Sequence, residues 1–88
     1  MSVTAYHFWS PTCQPCTHIK PAVEDLKAEF PEVKWVSVNM QMDYSDYSGT
    51  YEVRTVPTIV VESKHGIDRY SGTQMMGYYT MLRRAIRD

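Results

Sequence analysis

Two cysteines, Cys13 and Cys16, are the residues whose type and spacing point most directly to chemistry, and the sequence contains no others. A cysteine thiolate attacks a disulfide to form a mixed disulfide, and a second thiol nearby can then attack that cysteine and release the substrate sulfur. A helix beginning at Cys13 would place this sulfur beside unpaired N–H groups and the positive helix end, which lower the pKa of a thiol. Cys16 would lie one turn further along, on the same side. The pair therefore predicts an attacking thiol at Cys13 and a resolving thiol at Cys16.

Other interpretations of the cysteine pair stay open from the residues alone. A zinc half-site would need further ligands, for which His7 and His18 can be nominated, but the sequence has no second paired motif. Inert thiols are a third possibility. A structural staple is disfavoured because so short a loop gives a disulfide little stabilising effect. We favour redox catalysis, and we expect no metal and no cofactor other than a redox-active Cys13–Cys16 disulfide.

The first half of the chain predicts a strand, a helix and a second strand around the cysteines. Residues 3–9 are rich in β-branched and aromatic types, which predicts a buried strand. Apolar residues at helical spacing predict one helix over residues 13–30, kinked at Pro21 and ended by Pro31. This apolar stripe consists of Ile19, Val23, Leu26 and Phe30. Residues 33–40 alternate with period two and predict the second strand.

The second half predicts a connection, a hairpin and a final helix. Residues 41–51 are polar and fit a short helix or an irregular connection. Residues 58–62 and 67–71 read as strands on either side of a turn at 64–66, which predicts an antiparallel hairpin. A last apolar stripe predicts a C-terminal helix after Gly72. Its members are Met75, Tyr78, Leu82, Ala85 and Ile86.

The order β-α-β-connection-β-β-α predicts one α/β domain over residues 1–88. A right-handed crossover makes the first two strands parallel, so the sheet is four-stranded and mixed, with helices packed on it. The length of 88 residues excludes a second independent core. We expect a monomer.

Charge and hydropathy exclude several classes of function. Nine basic against ten acidic residues give a net charge of −1, which offers no footprint for nucleic acid. No apolar run approaches the roughly 20 residues needed to cross a bilayer. The N-terminal residues lack a basic segment followed by an apolar one, so we expect no secretory signal and a cytoplasmic location.

Two stretches of the sequence, residues 8–16 (FWSPTCQPC) and 51–58 (YEVRTVPT), together with Pro21 and Gly72, resemble the thioredoxin family over nearly the whole chain. The resemblance implies a minimal thioredoxin-like fold and reduction of protein disulfides through a mixed disulfide. Such a protein takes part in electron transport and cell redox homeostasis, and a thioredoxin reductase or another external reductant restores its dithiol. The resemblance also implies substrates such as a ribonucleotide reductase or a thiol peroxidase.

The same resemblance implies roles for residues around the dithiol. Pro57 is expected to be a cis proline that faces the cysteines, Val56 to offer its backbone to an extended substrate, and Trp9 to pack under the active-site turn. The implied docking surface consists of Thr12, Gln14, Pro15, Met40, Thr55 and Gly72.

Three departures from the family pattern stand out. Only a few residues precede the strand that leads to Cys13, where the family has an extra strand and helix. The family's buried acid aligns with His7 and its associated lysine with Ser37, while Thr12 replaces a tryptophan. His7 is either a general base for Cys16 or a hydrogen-bonded strand residue. Alternative functions are a glutaredoxin-like, glutathione-dependent carrier and a non-catalytic interaction module.

Overall fold

Four strands and three helices follow one another as the sequence pattern predicts. A computed structural model describes residues 2–87. In chain order, the elements are β1 (Thr4–Trp9), α1 (Gln14–Glu29), β2 (Lys34–Asn39), a 3-10 turn (Met40–Met42), α2 (Tyr47–Thr50), β3 (Thr58–Ser63), β4 (Gly66–Ser71) and α3 (Met75–Ile86). None of the helices in this part of the chain is both long and apolar enough to span a membrane.

The strands form one mixed sheet in the order β2-β1-β3-β4. Strand β1 runs parallel to β2 and antiparallel to β3, and β3 pairs antiparallel with β4. The four-stranded mixed sheet, with one parallel pair followed by a hairpin, is therefore confirmed. Strand β1 lies between β2 and β3 and leads directly into the loop before α1, which contains Cys13. The sheet therefore fixes where this loop begins.

Side chains alternate between the two faces of β1, as the strand period requires. Ala5 packs on one face with α1 and α3, in a cluster that also includes Leu26 and Leu82. Phe8 packs on the opposite face, in a smaller cluster joined by Tyr47 and Tyr51 around α2. Because His7 shares the parity of Ala5, it lies on the α1 side of the sheet, although it is polar.

Two details differ from the sequence expectation. The sequence predicts Gly66 in the turn, but Gly66 begins β4 at a φ of +108°. Only Lys64 and His65 therefore lie between β3 and β4. This positive φ is open to glycine at no steric cost. Residues 41–51 contain two short helical segments rather than one, and Tyr44 between them is 87% exposed. As the sequence predicts, helix α1 continues through Pro21 to Glu29 as a single helix.

Candidate active site

Cys13 forms the N-cap of α1, at the end of the loop that connects β1 to this helix. Its Sγ accepts a hydrogen bond from the Cys16 N–H at 3.2 Å. The Cys13 carbonyl accepts the Thr17 N–H at 3.1 Å, which starts the helical ladder. Pro15 lies in the first turn, where a missing N–H donor has no cost. The predicted sulfur at a helix N-terminus is therefore present.

The two cysteines form a disulfide, with their Cα atoms 5.2 Å apart. Cys13 is half-buried, whereas Cys16 is only 6% exposed. An incoming group can reach Cys13 from solvent, while Cys16 is positioned to react with its neighbour. This asymmetry fits the attacking and resolving roles predicted for the two sulfurs.

The segment that contains Pro57 faces the disulfide. The Val56–Pro57 peptide bond is cis, as the family resemblance implies. The Val56 carbonyl oxygen lies 3.8 Å from the Cys13 Sγ. Val56 is half-buried, and Thr55 before it is exposed. The structure thus brings backbone from a distant part of the chain against the attacking sulfur.

A side-chain network that the sequence did not reveal supports the cysteine loop. The Gln41 side-chain amide donates to the Thr12 hydroxyl at 3.2 Å and to the Ser10 hydroxyl at 3.3 Å. These two hydroxyls are themselves 3.1 Å apart. An exposed glutamine after a strand carries no sequence signal for this contact. The loop is therefore tied to the segment that follows β2.

A cavity of about 440 Å³ opens between β1 and α1, beside Cys16. Its lining residues include His7, Trp9, Cys16, Lys20, Glu24, Lys27 and Ser37. The Trp9 indole N–H donates to the Ser37 hydroxyl at 2.7 Å, which fixes the indole on this side of the site. Ser37 is also the register partner of His7 on β2. The neutral pair His7 and Ser37 thus occupies the two positions where the resemblance places an acid and a lysine.

His7 is 7% exposed, and its Nε2 has no hydrogen-bond partner within residues 2–87. The pKa of His7 is lowered from 6.5 to about 4, mainly by burial and also by the Lys27 ammonium, while the Glu24 carboxylate opposes the shift. Lys27 and Glu24 themselves form a 3.2 Å ion pair on α1. His7 is therefore a neutral imidazole at neutral pH, and it lines the same cavity as Cys16.

The residues implied as a docking surface differ in exposure. Thr12, Gln14, Pro15 and Thr55 are exposed, whereas Met40, Val56 and Gly72 are half-buried. Gln14 and Pro15 share an open groove with Thr73, the neighbour of Gly72. Met40 packs in part against the Phe8 cluster.

Tyr78 is a site residue whose role the sequence analysis missed. Its position in the apolar stripe correctly predicted burial, and it is 0% exposed. Its hydroxyl donates to the Gly72 carbonyl at 2.6 Å and lies 3.2 Å from the Pro57 carbonyl. The available signal was a tyrosine at a core position, because a buried phenol needs a partner for its hydroxyl.

The arrangement has the parts needed for two-electron thiol–disulfide exchange, namely a reachable sulfur at a helix end, a buried partner sulfur and a disulfide between them. Among the described residues, no group of three or more histidine, cysteine or acidic side chains is arranged to hold a metal ion. The geometry is consistent with thiol–disulfide oxidoreductase activity.

Comparisons with known proteins agree with this geometry. A thioredoxin of Mycoplasma genitalium is 32% identical over 62 residues, which are 70% of this chain and 59% of that protein. An M-type chloroplastic thioredoxin of Chlamydomonas reinhardtii is 36% identical over 55 residues, 61% of this chain and 39% of that protein. The matched segments thus span less than two thirds of these relatives.

Solved structures extend the similarity to nearly the whole chain. The crystal structure of a Trypanosoma brucei brucei thioredoxin superposes with a TM-score of 0.86 at 25% identity and covers 99% of this chain and 77% of that one. The Fasciola hepatica thioredoxin gives 0.84 at 28% identity and covers 96% and 81%. The family model described as Thioredoxin matches residues 3–82. This chain therefore belongs to the thioredoxin family.

Proposed function

We propose that this protein is a thiol–disulfide oxidoreductase that reduces protein disulfides. The observation that carries the proposal is the Cys16 N–H directed at the Cys13 Sγ at 3.2 Å. In the reduced protein the same N–H and the helix dipole stabilise a thiolate at Cys13, because both favour negative charge there. A stabilised thiolate is present at neutral pH and is also a good leaving group.

The proposed reaction has two exchange steps. The Cys13 thiolate attacks one sulfur of the substrate disulfide, and the other substrate sulfur leaves as a thiolate and takes up a proton. The Cys16 thiol then loses its proton and attacks the Cys13 sulfur of the mixed disulfide, which releases the second substrate thiolate. Two electrons pass from the dithiol to the substrate, and the Cys13–Cys16 disulfide remains. An external thiol reductant must restore the dithiol.

His7 is the proposed acceptor for the Cys16 proton. The support is its unpartnered Nε2, its neutral state and the cavity that it shares with Cys16. A pKa of about 4 makes His7 a weak base, so full transfer from a thiol with a pKa near 8.5 costs about 6 kcal/mol. We therefore expect His7→Gln to slow resolution by about tenfold, below the usual range for a general base. An unchanged pH profile of resolution in this variant would remove the assignment.

The docking surface is proposed from the geometry around Cys13. Substrate backbone would lie against Val56, next to Pro57, where the carbonyl approaches the attacking sulfur to 3.8 Å. The remaining proposed contacts are Trp9, Thr12, Gln14, Pro15, Met40, Thr55 and Gly72. Trp9 contributes from beneath the loop through its bond to Ser37.

We further propose that the protein acts as a monomer in the reducing cytoplasm, with no metal or organic cofactor. A dithiol that must be re-reduced after each turnover suits such a compartment. NADPH with thioredoxin reductase is the proposed reductant. Faster recovery with glutathione and glutathione reductase would favour the glutaredoxin-like alternative instead.

Insulin reduction driven by dithiothreitol tests the proposed function. The wild-type protein should accelerate reduction, Cys13→Ser should be inactive, and Cys16→Ser should accumulate a mixed disulfide because resolution is blocked. Identification of the proteins trapped by Cys16→Ser in a lysate then gives the substrates. A wild-type protein that leaves insulin unreduced would contradict the proposal. A variant with both cysteines replaced by serine that keeps its biological role would favour an interaction module.

A further inference from the structure

The Tyr78 hydroxyl joins two loops that flank the disulfide. It donates to the Gly72 carbonyl at 2.6 Å and lies 3.2 Å from the Pro57 carbonyl. The Pro57 carbonyl also accepts the Gly72 N–H at 3.1 Å. One side chain of α3 therefore connects the turn after β4 to the segment before β3, although these loops lie far apart in the sequence.

The hydroxyl has a specific task at this position, since the ring alone would fill the core. Tyr78 is 0% exposed, and the Tyr70 ring packs edge-on against it at 5.0 Å between centroids. The pKa of Tyr78 is raised to about 12, mainly by burial and also by the nearby Tyr70, while the bond to Gly72 opposes the shift. The phenol therefore stays protonated near neutral pH and remains a donor to the loop carbonyls.

One of the two joined loops, the segment before β3, brings backbone from a distant part of the chain against Cys13. Pro57 directly follows Val56, whose carbonyl lies 3.8 Å from the Cys13 Sγ. Within residues 2–87 the Val56 N–H makes no hydrogen bond, so it is available to an extended chain lying along this segment. Gly72 adopts a φ of +125°, so the turn depends on a conformation that other residues rarely take.

We propose that Tyr78 is a positioning residue that holds the Val56 and Gly72 segments in the arrangement that receives a protein disulfide. The inference rests on the proposed function. A small disulfide needs only the Cys13 sulfur and gains nothing from the backbone on either side. Loss of the hydroxyl should therefore weaken the binding of protein substrates and leave the intrinsic reactivity of Cys13 unchanged.

Tyr78→Phe tests the inference because it removes the hydroxyl and keeps the ring. The pre-reduced protein is oxidised in single turnovers at increasing insulin concentration, which separates the half-saturating concentration from the limiting rate. We expect the half-saturating concentration to rise about fivefold, as for the loss of one hydrogen bond, with a limiting rate within about twofold of wild type. The rate with the small disulfide 5,5′-dithiobis(2-nitrobenzoic acid) should stay within the same factor.

Tyr79→Phe is the matched control, because its hydroxyl lies on the same helix but contacts Arg83 at 3.3 Å on the exposed side. This variant should behave as wild type. Hydrogen exchange of the Gly72 amide gives a readout independent of turnover, and it should accelerate in Tyr78→Phe only. Unchanged insulin saturation and Gly72 exchange in a folded Tyr78→Phe would overturn the inference alone. A wild-type protein that is inactive on insulin would overturn the proposed function and this inference with it.

Discussion

The buried His7 makes the stability of the oxidised protein depend on pH in a predictable direction. Burial lowers its pKa from 6.5 to about 4. Between these values the unfolded chain binds a proton at this residue and the folded chain does not, so the free energy of unfolding falls as the pH falls. The His7 contribution is fully present above about pH 6.5 and is lost progressively down to about pH 4. At pH 4.5 the loss amounts to about 2 to 3 kcal/mol.

Urea unfolding of the disulfide form at pH 7 and pH 4.5 measures this effect, because the oxidised cysteines do not titrate. Acidic residues also contribute to the change, so the informative quantity is the difference between wild type and His7→Gln. We expect the wild type to lose about 2 to 3 kcal/mol more than the variant over this pH interval. A difference in the free energy of unfolding between wild type and His7→Gln that is the same at both pH values cancels in this comparison.

His18→Gln is the matched control, since His18 is exposed on α1. It should keep the wild-type pH dependence. The imidazole resonances of His7 followed by NMR give a second measurement, with an expected midpoint near pH 4. If wild type and His7→Gln lose the same free energy of unfolding between pH 7 and 4.5, burial does not lower the pKa of His7, and this prediction is refuted.

Two further predictions concern packing and capping, and both are measured by urea unfolding at pH 7. A Cβ at Gly77 would collide with the Tyr70 ring, so Gly77→Ala should lower the free energy of unfolding by about 1 to 3 kcal/mol. A Cβ at Gly49 would meet the movable Asp46 carboxylate, so Gly49→Ala should be neutral or stabilising by up to about 1 kcal/mol. Equal effects of Gly77→Ala and Gly49→Ala would contradict the steric argument. The Asp43 carboxylate accepts two α2 N–H groups at 3.0 and 2.8 Å, so Asp43→Asn should cost about 1 kcal/mol. Asp46→Asn removes no capping bond, so it should lower the free energy of unfolding by less than Asp43→Asn does. A larger loss in Asp46→Asn than in Asp43→Asn would refute the capping role of Asp43.

The elements were predictable because each has a strong local signal. The β-branched and aromatic residues of β1 and the apolar stripe of α1 place their ends within one or two residues of the observed bounds. The helix start at Cys13 and the disulfide followed from the same local pattern. The cis peptide before Pro57 did not follow from local pattern, and it was expected only through the family resemblance.

Contacts made by single polar atoms across the fold were not predictable. The hydrogen bonds from Gln41 to Thr12 and from Tyr78 to Gly72 form only because of how the loops pack against each other. Hydrophobic periodicity reports which face of an element is buried, but it carries no information on where a hydroxyl or amide on that face finds its partner. Such contacts form after the layers are assembled, so sequence reasoning placed Tyr78 correctly in the core and still missed what its hydroxyl does.

The two positions where the family resemblance implies a buried acid and a lysine carry His7 and Ser37 in this chain. A buried carboxylate beside Cys16 would oppose the negative charge that develops on this sulfur during resolution, since like charges raise the pKa of a thiol. His7 is neutral above about pH 4, so it exerts no such repulsion at neutral pH. Lys27 and Glu24, which also line the cavity, form an ion pair with each other. The negative charge that develops on Cys16 in the proposed resolving step therefore meets no repulsion from a buried anion at position 7.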